Sequence, residues 1–99
     1  MPLRLKIRRR ARQDVLDIIE YIATRNGDYV VARQFAQRLL DRCYELTKAP
    51  GAGSPSALLS GMRKINEGAY KIYYRKDDGT IVILRIWDGR RGQEPRLPR

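Results

Sequence analysis

Two stretches of this 99-residue chain alternate cations with rings and aliphatic side chains: Tyr70-Lys71-Ile72-Tyr73-Tyr74-Arg75, and Leu84-Arg85-Ile86-Trp87, the second continuing into Asp88-Gly89-Arg90-Arg91. Residues two apart on a strand share a face. Lys71, Tyr73 and Arg75 therefore fall on one side of the first stretch, and Ile83, Arg85 and Trp87 on one side of the second. Such a surface can recognise polyanions, because Arg and Lys neutralise phosphates while Tyr and Trp offer stacking surface worth about 1–3 kcal/mol per base. It equally suits an acidic peptide with apolar anchors. The plainer reading is a solvated face whose rings pack over their neighbours. The charge balance favours recognition: 21 Lys and Arg against 11 Asp and Glu give +10 at pH 7. A field of one sign raises the local concentration of polyanions, and most of these cations are Arg, whose planar fork matches carboxylates and phosphates.

Other chemistries lack their residues. The chain has no His and one Cys, which excludes zinc sites built on those ligands and histidine-based triads. Cys43 falls on an apolar helical stripe, where a thiol behaves as a small apolar side chain. Asp14, Asp17 and Glu20 spread around the solvent side of the same kind of helix and read as a solvated face. Gly51, Gly53 and Gly61 do not stand between a strand and a helix start, so they form no phosphate cradle. No cofactor and no metal are expected.

The elements that must position these residues follow from periodicity. Leu3, Leu5 and Ile7 alternate with Arg4, Lys6 and Arg8, a strand with one basic face. From Ala11 the period becomes helical, with Ala11, Val15, Ile18, Ile19 and Ile22 in line, and Asn26-Gly27 suits a left-handed cap. Asp28 can cap a second helix with the stripe Ala32, Phe35, Ala36, Leu39, Leu40, Cys43 and Leu46. So short a connection predicts an antiparallel helical hairpin. Lys48 to Gly61 is rich in Pro, Gly and Ser and reads as a loop, mobile at its centre. Met62 to Asn66, Ala69 to Lys76 and Thr80 to Asp88 read as strands joined by turns at Glu67-Gly68 and Asp77-Asp78-Gly79.

The expected fold is α+β: a two-helix hairpin on one face of a four-stranded, mainly antiparallel sheet, in the order β-α-α-β-β-β. Tyr70, Ile72, Tyr74, Val82, Leu84 and Ile86 should face the helices. The other side, left to water, should carry Arg4, Lys6, Arg8, Lys71, Tyr73, Arg75, Arg85 and Trp87. The length fits one domain over residues 1–99. Within it, Gly89 to Arg99 should be a flexible basic tail, because it holds almost no apolar surface to bury. A lone cysteine, no signal-like amino end and no long apolar run lead us to expect a cytoplasmic protein without a membrane partner.

Taken in order, the initial strand, Asp14-Val15 with Ile18-Ile19-Glu20-Tyr21-Ile22, Ala32 with Phe35, Pro50-Gly51, Gly61-Met62-Arg63, Tyr70-Lys71-Ile72-Tyr73-Tyr74 and Ile86-Trp87-Asp88-Gly89-Arg90-Arg91 resemble the RelE/ParE family of bacterial toxins. The resemblance covers almost the whole chain. It implies a toxin neutralised by an acidic, partly disordered antitoxin with which it forms a hetero-oligomer. That segment would lay apolar side chains beside the hairpin or add a strand at a sheet edge, with Leu16, Tyr21, Tyr44, Arg4, Lys6 and Arg8 as contacts.

The family has two activities. RelE-like members cut messenger RNA on the ribosome, and ParE-like members act on DNA gyrase without known catalysis. Cleavage needs a base for the 2′-hydroxyl, an acid for the leaving oxygen and cations for the charged intermediate. Lys64, Lys71, Arg85, Arg90 and Arg91 could supply charge and Glu67 a base, but the chain has neither His nor a tyrosine beyond Tyr74. Asp88 stands where many ParE-like proteins resemble His-Gly-Arg-Arg. The pattern around it looks more like ParE, which implies a gyrase inhibitor rather than an enzyme, with Arg63, Lys71, Tyr73, Arg75, Arg85, Trp87, Arg90 and Arg91 on the target. The alternatives are a ribosome-dependent endoribonuclease and a toxin-fold binding module without activity.

Overall fold

In the computed structural model, which describes residues 2–95, the period-two segments form strands and the helical stripes form a hairpin. The order is β1 Arg4–Ile7, α1 Arg9–Asn26, α2 Tyr29–Glu45, β2 Ser54–Pro55, β3 Met62–Glu67, β4 Tyr70–Asp77 and β5 Thr80–Asp88. Gly27 ends α1 in the left-handed conformation at φ 66°, its N–H donating to the Ala23 carbonyl. That conformation strains any residue bearing a Cβ. Asp28 starts α2 by accepting from the Val30 N–H at 2.8 Å. Within the described residues no helix is long and apolar enough to cross a membrane.

The sheet has five strands in the order β1-β5-β4-β3-β2, with β1 parallel to β5 and the other pairs antiparallel. The strand not expected is β2, two residues within the breaker-rich loop and too short to show a period. Its loop is tethered by two side chains. Tyr74 Oη donates to the Pro50 carbonyl at 2.8 Å and accepts from the Gly53 N–H at 3.1 Å. Arg63 donates to the Gly51 and Gly53 carbonyls. Gly53 is required there, because a Cβ would overlap the Lys64 carbonyl.

The hairpin covers one face of the sheet. Ala11, Val15, Ile18, Ala36, Leu39 and Cys43 meet Ile65, Tyr70, Ile72, Tyr74, Ile81, Ile83 and Ile86 in the main core, where each large aliphatic side chain contributes about 1.5–3 kcal/mol on full burial. The face assignment of β5 needs correcting. Tyr73 pairs with Arg85 but Tyr74 pairs with Ile83, so Leu84 is an extra residue, a bulge that shifts the alternation. Ile81, Ile83 and Ile86 face the helices, while Val82 and Leu84, expected there, face outward.

The outer face is not open to water as the alternation suggested. Met62, Tyr73, Val82, Leu84 and Trp87 form a second cluster, with Leu58 and Leu59 of the loop packed against it. Tyr73 is fully buried, and Arg85 and Trp87 are nearly so. Periodicity within a strand identifies a face but cannot show that a distant loop covers it.

Candidate partner-binding faces

The chemistry-bearing side chains gather around the carboxyl-terminal half of β5. Strand β1 pairs with β5 only from Thr80 to Ile83. Beyond that point Asp14 of α1 takes over the margin. Its carboxylate accepts from Arg85 Nε at 2.8 Å, from Arg85 Nη2 at 3.1 Å and from the Ile86 N–H at 2.9 Å. Arg10 approaches the same carboxylate at 3.6 Å. Asp14 is therefore buried and not part of the solvated face expected for it. The signal was its spacing: Ala11, Asp14, Val15 and Ile18 stand at i, i+3, i+4 and i+7, the positions of the buried stripe.

Arg85 also lies over the Trp87 ring, its guanidinium carbon 5.1 Å from the centroid, and Arg91 lies closer at 4.5 Å. Trp87 and Arg91 border two clefts. One, about 210 Å³, runs between α1 and β5 past Arg10, Asp14, Tyr21 and Tyr70. The other, about 340 Å³, lies on the outer face with Lys71, Tyr73 and Glu94. Tyr73 Oη donates to Glu94 Oε2 at 2.6 Å, and burial followed by that carboxylate raises the phenol well above its ordinary range. Nothing in the sequence pointed to Glu94, 21 residues away from Tyr73.

The expected target residues divide. Lys71, Tyr73, Trp87 and Arg91 share the outer cleft. Arg90 lies on the helix side instead, over the Tyr70 ring at 5.8 Å and paired with Asp88. Arg90 is the first cause holding the Asp88 carboxyl below the ordinary carboxylate range. Arg63 is committed to the loop carbonyls and Arg75 to Asp77 at 2.8 Å. Arg85 is nearly buried, so it supports the face rather than being displayed on it.

The residues considered for cleavage divide, the cations gathering near Trp87 and Glu67 standing apart from them. Lys64 pairs across strands with Tyr73, whereas Glu67 pairs with Tyr70 at the other end of β3 and lies 3.8 Å from Arg42. Lys71, Arg85 and Arg91 surround Trp87. Burial pushes the Cys43 thiol up to about 12, which keeps it protonated and unreactive. Among the described residues no cluster of three His, Cys, Asp or Glu side chains could hold a metal.

The residues read as antitoxin contacts lie on the hairpin and along β1, and Tyr21 among them also lines the cleft between α1 and β5. Leu16, Tyr21 and Tyr44 project from the hairpin and are about half exposed. Arg25 lies over the Tyr21 ring and Lys48 over that of Tyr44, at 5.5 and 5.6 Å. Arg4 and Lys6 are exposed on β1, an edge strand, and Arg8 is half-buried at the start of α1. Tyr29, Val30 and Val31 extend this apolar surface at the turn of the hairpin.

The fold has known counterparts. The chromosomal ParDE toxin-antitoxin system from P. aeruginosa contains a chain 26% identical, matched over 87% of this chain and 95% of that one with a TM-score of 0.78. The RelBE2 toxin-antitoxin complex from Mycobacterium tuberculosis shares the fold at 23% identity, over 87% and 90% of the two chains, with a TM-score of 0.64. No curated protein matches the sequence. The family model described as the ParE toxin of the type II toxin-antitoxin system, parDE, matches residues 5–92, from the first strand through the Trp87 to Arg91 unit, and the chain belongs to that family.

Proposed function

We propose that this toxin inhibits DNA gyrase through its outer sheet face and is neutralised by an acidic antitoxin bound to the hairpin and the β1 edge. The observation that carries the first half is the unit around Trp87, where Lys71, Tyr73 and Arg91 share one cleft while Glu67, the base considered for RNA cleavage, lies elsewhere beside Arg42. The one carboxylate in that cleft, Glu94, is already engaged by the Tyr73 hydroxyl, so the cations and rings there suit binding better than proton transfer. For the second half, the exposed Leu16, Tyr21 and Tyr44 offer apolar anchors, and the free edge of β1 with Arg4 and Lys6 offers backbone groups beside cations. An acidic segment that orders on binding uses both. The likeness to a chain of the P. aeruginosa ParDE toxin-antitoxin system supports the pairing with an antitoxin.

Induction of the full chain, followed by mapping of transcript ends and of gyrase-linked DNA breaks, tests the target. Gyrase-linked breaks with intact transcripts are expected. Codon-phased cuts without such breaks would make the protein a ribosome-dependent endoribonuclease, and normal growth would make it a binding module without activity.

A further inference from the structure

The outer cleft holds the chain's own carboxyl-terminal segment, by contacts that a bound peptide would make. Tyr73 donates to the Glu94 carboxylate at 2.6 Å, and Trp87 Nε1 donates to the Gln93 carbonyl at 2.9 Å. Pro95, next in the chain, is buried. Both donors stand on central, paired strands and are buried with their neighbours, so they are fixed before any ligand arrives. Both acceptors belong to residues that follow the last strand. A carboxylate next to a main-chain carbonyl is the signature of an acidic peptide. The Trp87 ring face is taken by Arg91, which leaves its N–H edge for a partner; edge donation suits a peptide carbonyl, whereas a nucleic-acid base would need the ring face.

We infer that the cleft between Lys71, Tyr73, Trp87 and Arg91 is a binding site for an extended acidic segment of a protein partner, and that residues 92–95 are a self-docked occupant which must leave before that segment enters. The inference rests on the outer-face reading above and adds to it the chemistry of the partner and a built-in competitor. A tethered occupant competes at a high effective concentration without strong contacts of its own. Removing it raises the apparent affinity for the partner by the reciprocal of the fraction of sites left open, about tenfold for a site nine-tenths closed.

Trp87 is the single tryptophan of the chain, so its emission reports the occupant directly. In the full chain, Glu94→Gln changes an exposed side chain and leaves the core intact. Acrylamide quenching of Trp87 is expected to rise about twofold in this variant, and hexaglutamate is expected to shift Trp87 emission at about tenfold lower concentration than in the unaltered chain. Unchanged quenching, or a shift produced by a thymidine oligonucleotide of equal charge and not by hexaglutamate, overturns the inference. These readouts need no gyrase. If neither form inhibits gyrase, the proposed target fails while emission still decides the cleft. If both forms inhibit it and Glu94→Gln inhibits less, the tail is part of the contact surface and self-competition is overturned.

Discussion

The two faces of the sheet are sealed by different means. The helix side is closed by aliphatic side chains at regular helical and strand spacing, Val15, Ile18, Ala36 and Leu39 against Ile72, Ile81, Ile83 and Ile86. The outer side is closed by a smaller cluster that borrows Leu58 and Leu59 from a loop and its last polar contacts from Gln93 and Glu94. Aliphatic packing is non-directional and tolerates exchange of similar volumes. A cover built from a few hydrogen bonds on segments outside the strands opens at a lower free energy than the core. The partner site inferred on the outer side can thus be masked or bared without unfolding the protein.

The largest test of this difference lies at the border of the two faces. Asp14→Ala leaves the buried Arg85 without its carboxylate and the Ile86 N–H without an acceptor. Removal of one partner of a buried pair is expected to destabilise the fold by about 3–5 kcal/mol, measured by urea unfolding. Replacement of both residues, Asp14→Leu with Arg85→Met, is expected to restore much of that loss. A single variant as stable as the unaltered chain would mean that the margin of β5 is held without Asp14.

A middle-sized effect is expected at Tyr74, whose ring belongs to the inner core while its hydroxyl holds the loop. Tyr74→Phe keeps the packing and strands the Gly53 N–H, so about 1–2 kcal/mol should be lost. Hydrogen exchange should quicken at Gly53 and leave the amides of Ile72 and Ile83 unaffected in relative protection. Equal acceleration throughout would show that the loop and the inner core open as one unit and would dissolve the contrast between the faces.

The inner face was legible because it obeys a period. The stripe of α2, the Asn26-Gly27 stop and the strand at Tyr70 all stand where spacing put them. Strand β5 defeated the same reasoning through one bulge at Leu84, which leaves no trace in an otherwise continuous apolar run. Asp14 was misread because its charge suggested solvent, although its position lay on the stripe; a buried acid is recognisable only with its partner, and Arg85 is 71 residues away. The outer cover was not legible at all. Leu58 and Leu59 lie in a loop without period, and Glu94 lies in a segment whose composition suggested a free tail. Residues 96–99 of that expected tail lie outside the described residues.

The smallest expected effect concerns the turn that leads from β5 into the tail. Asp88 accepts from the Arg90 backbone at 2.9 Å and from both ends of its guanidinium, while its own carbonyl accepts from the Arg91 N–H, and Arg91 then lies over Trp87. Because Arg90 holds the Asp88 carboxyl below its ordinary value of 3.8, the folded state binds that proton less readily than the unfolded chain. The stability it contributes is complete above the unfolded value and is lost as pH falls through the lower folded one. Asp88→Asn is therefore expected to be slightly less stable than the unaltered chain at neutral pH, with the gap closing as the pH falls below the ordinary carboxylate range. The effect is small because the pair is exposed and screened by salt. Trp87 emission should change with it if the turn also positions Arg91. A gap of constant size across the titration would mean that Asp88 acts through its backbone turn alone, and that the outer cover does not depend on its charge.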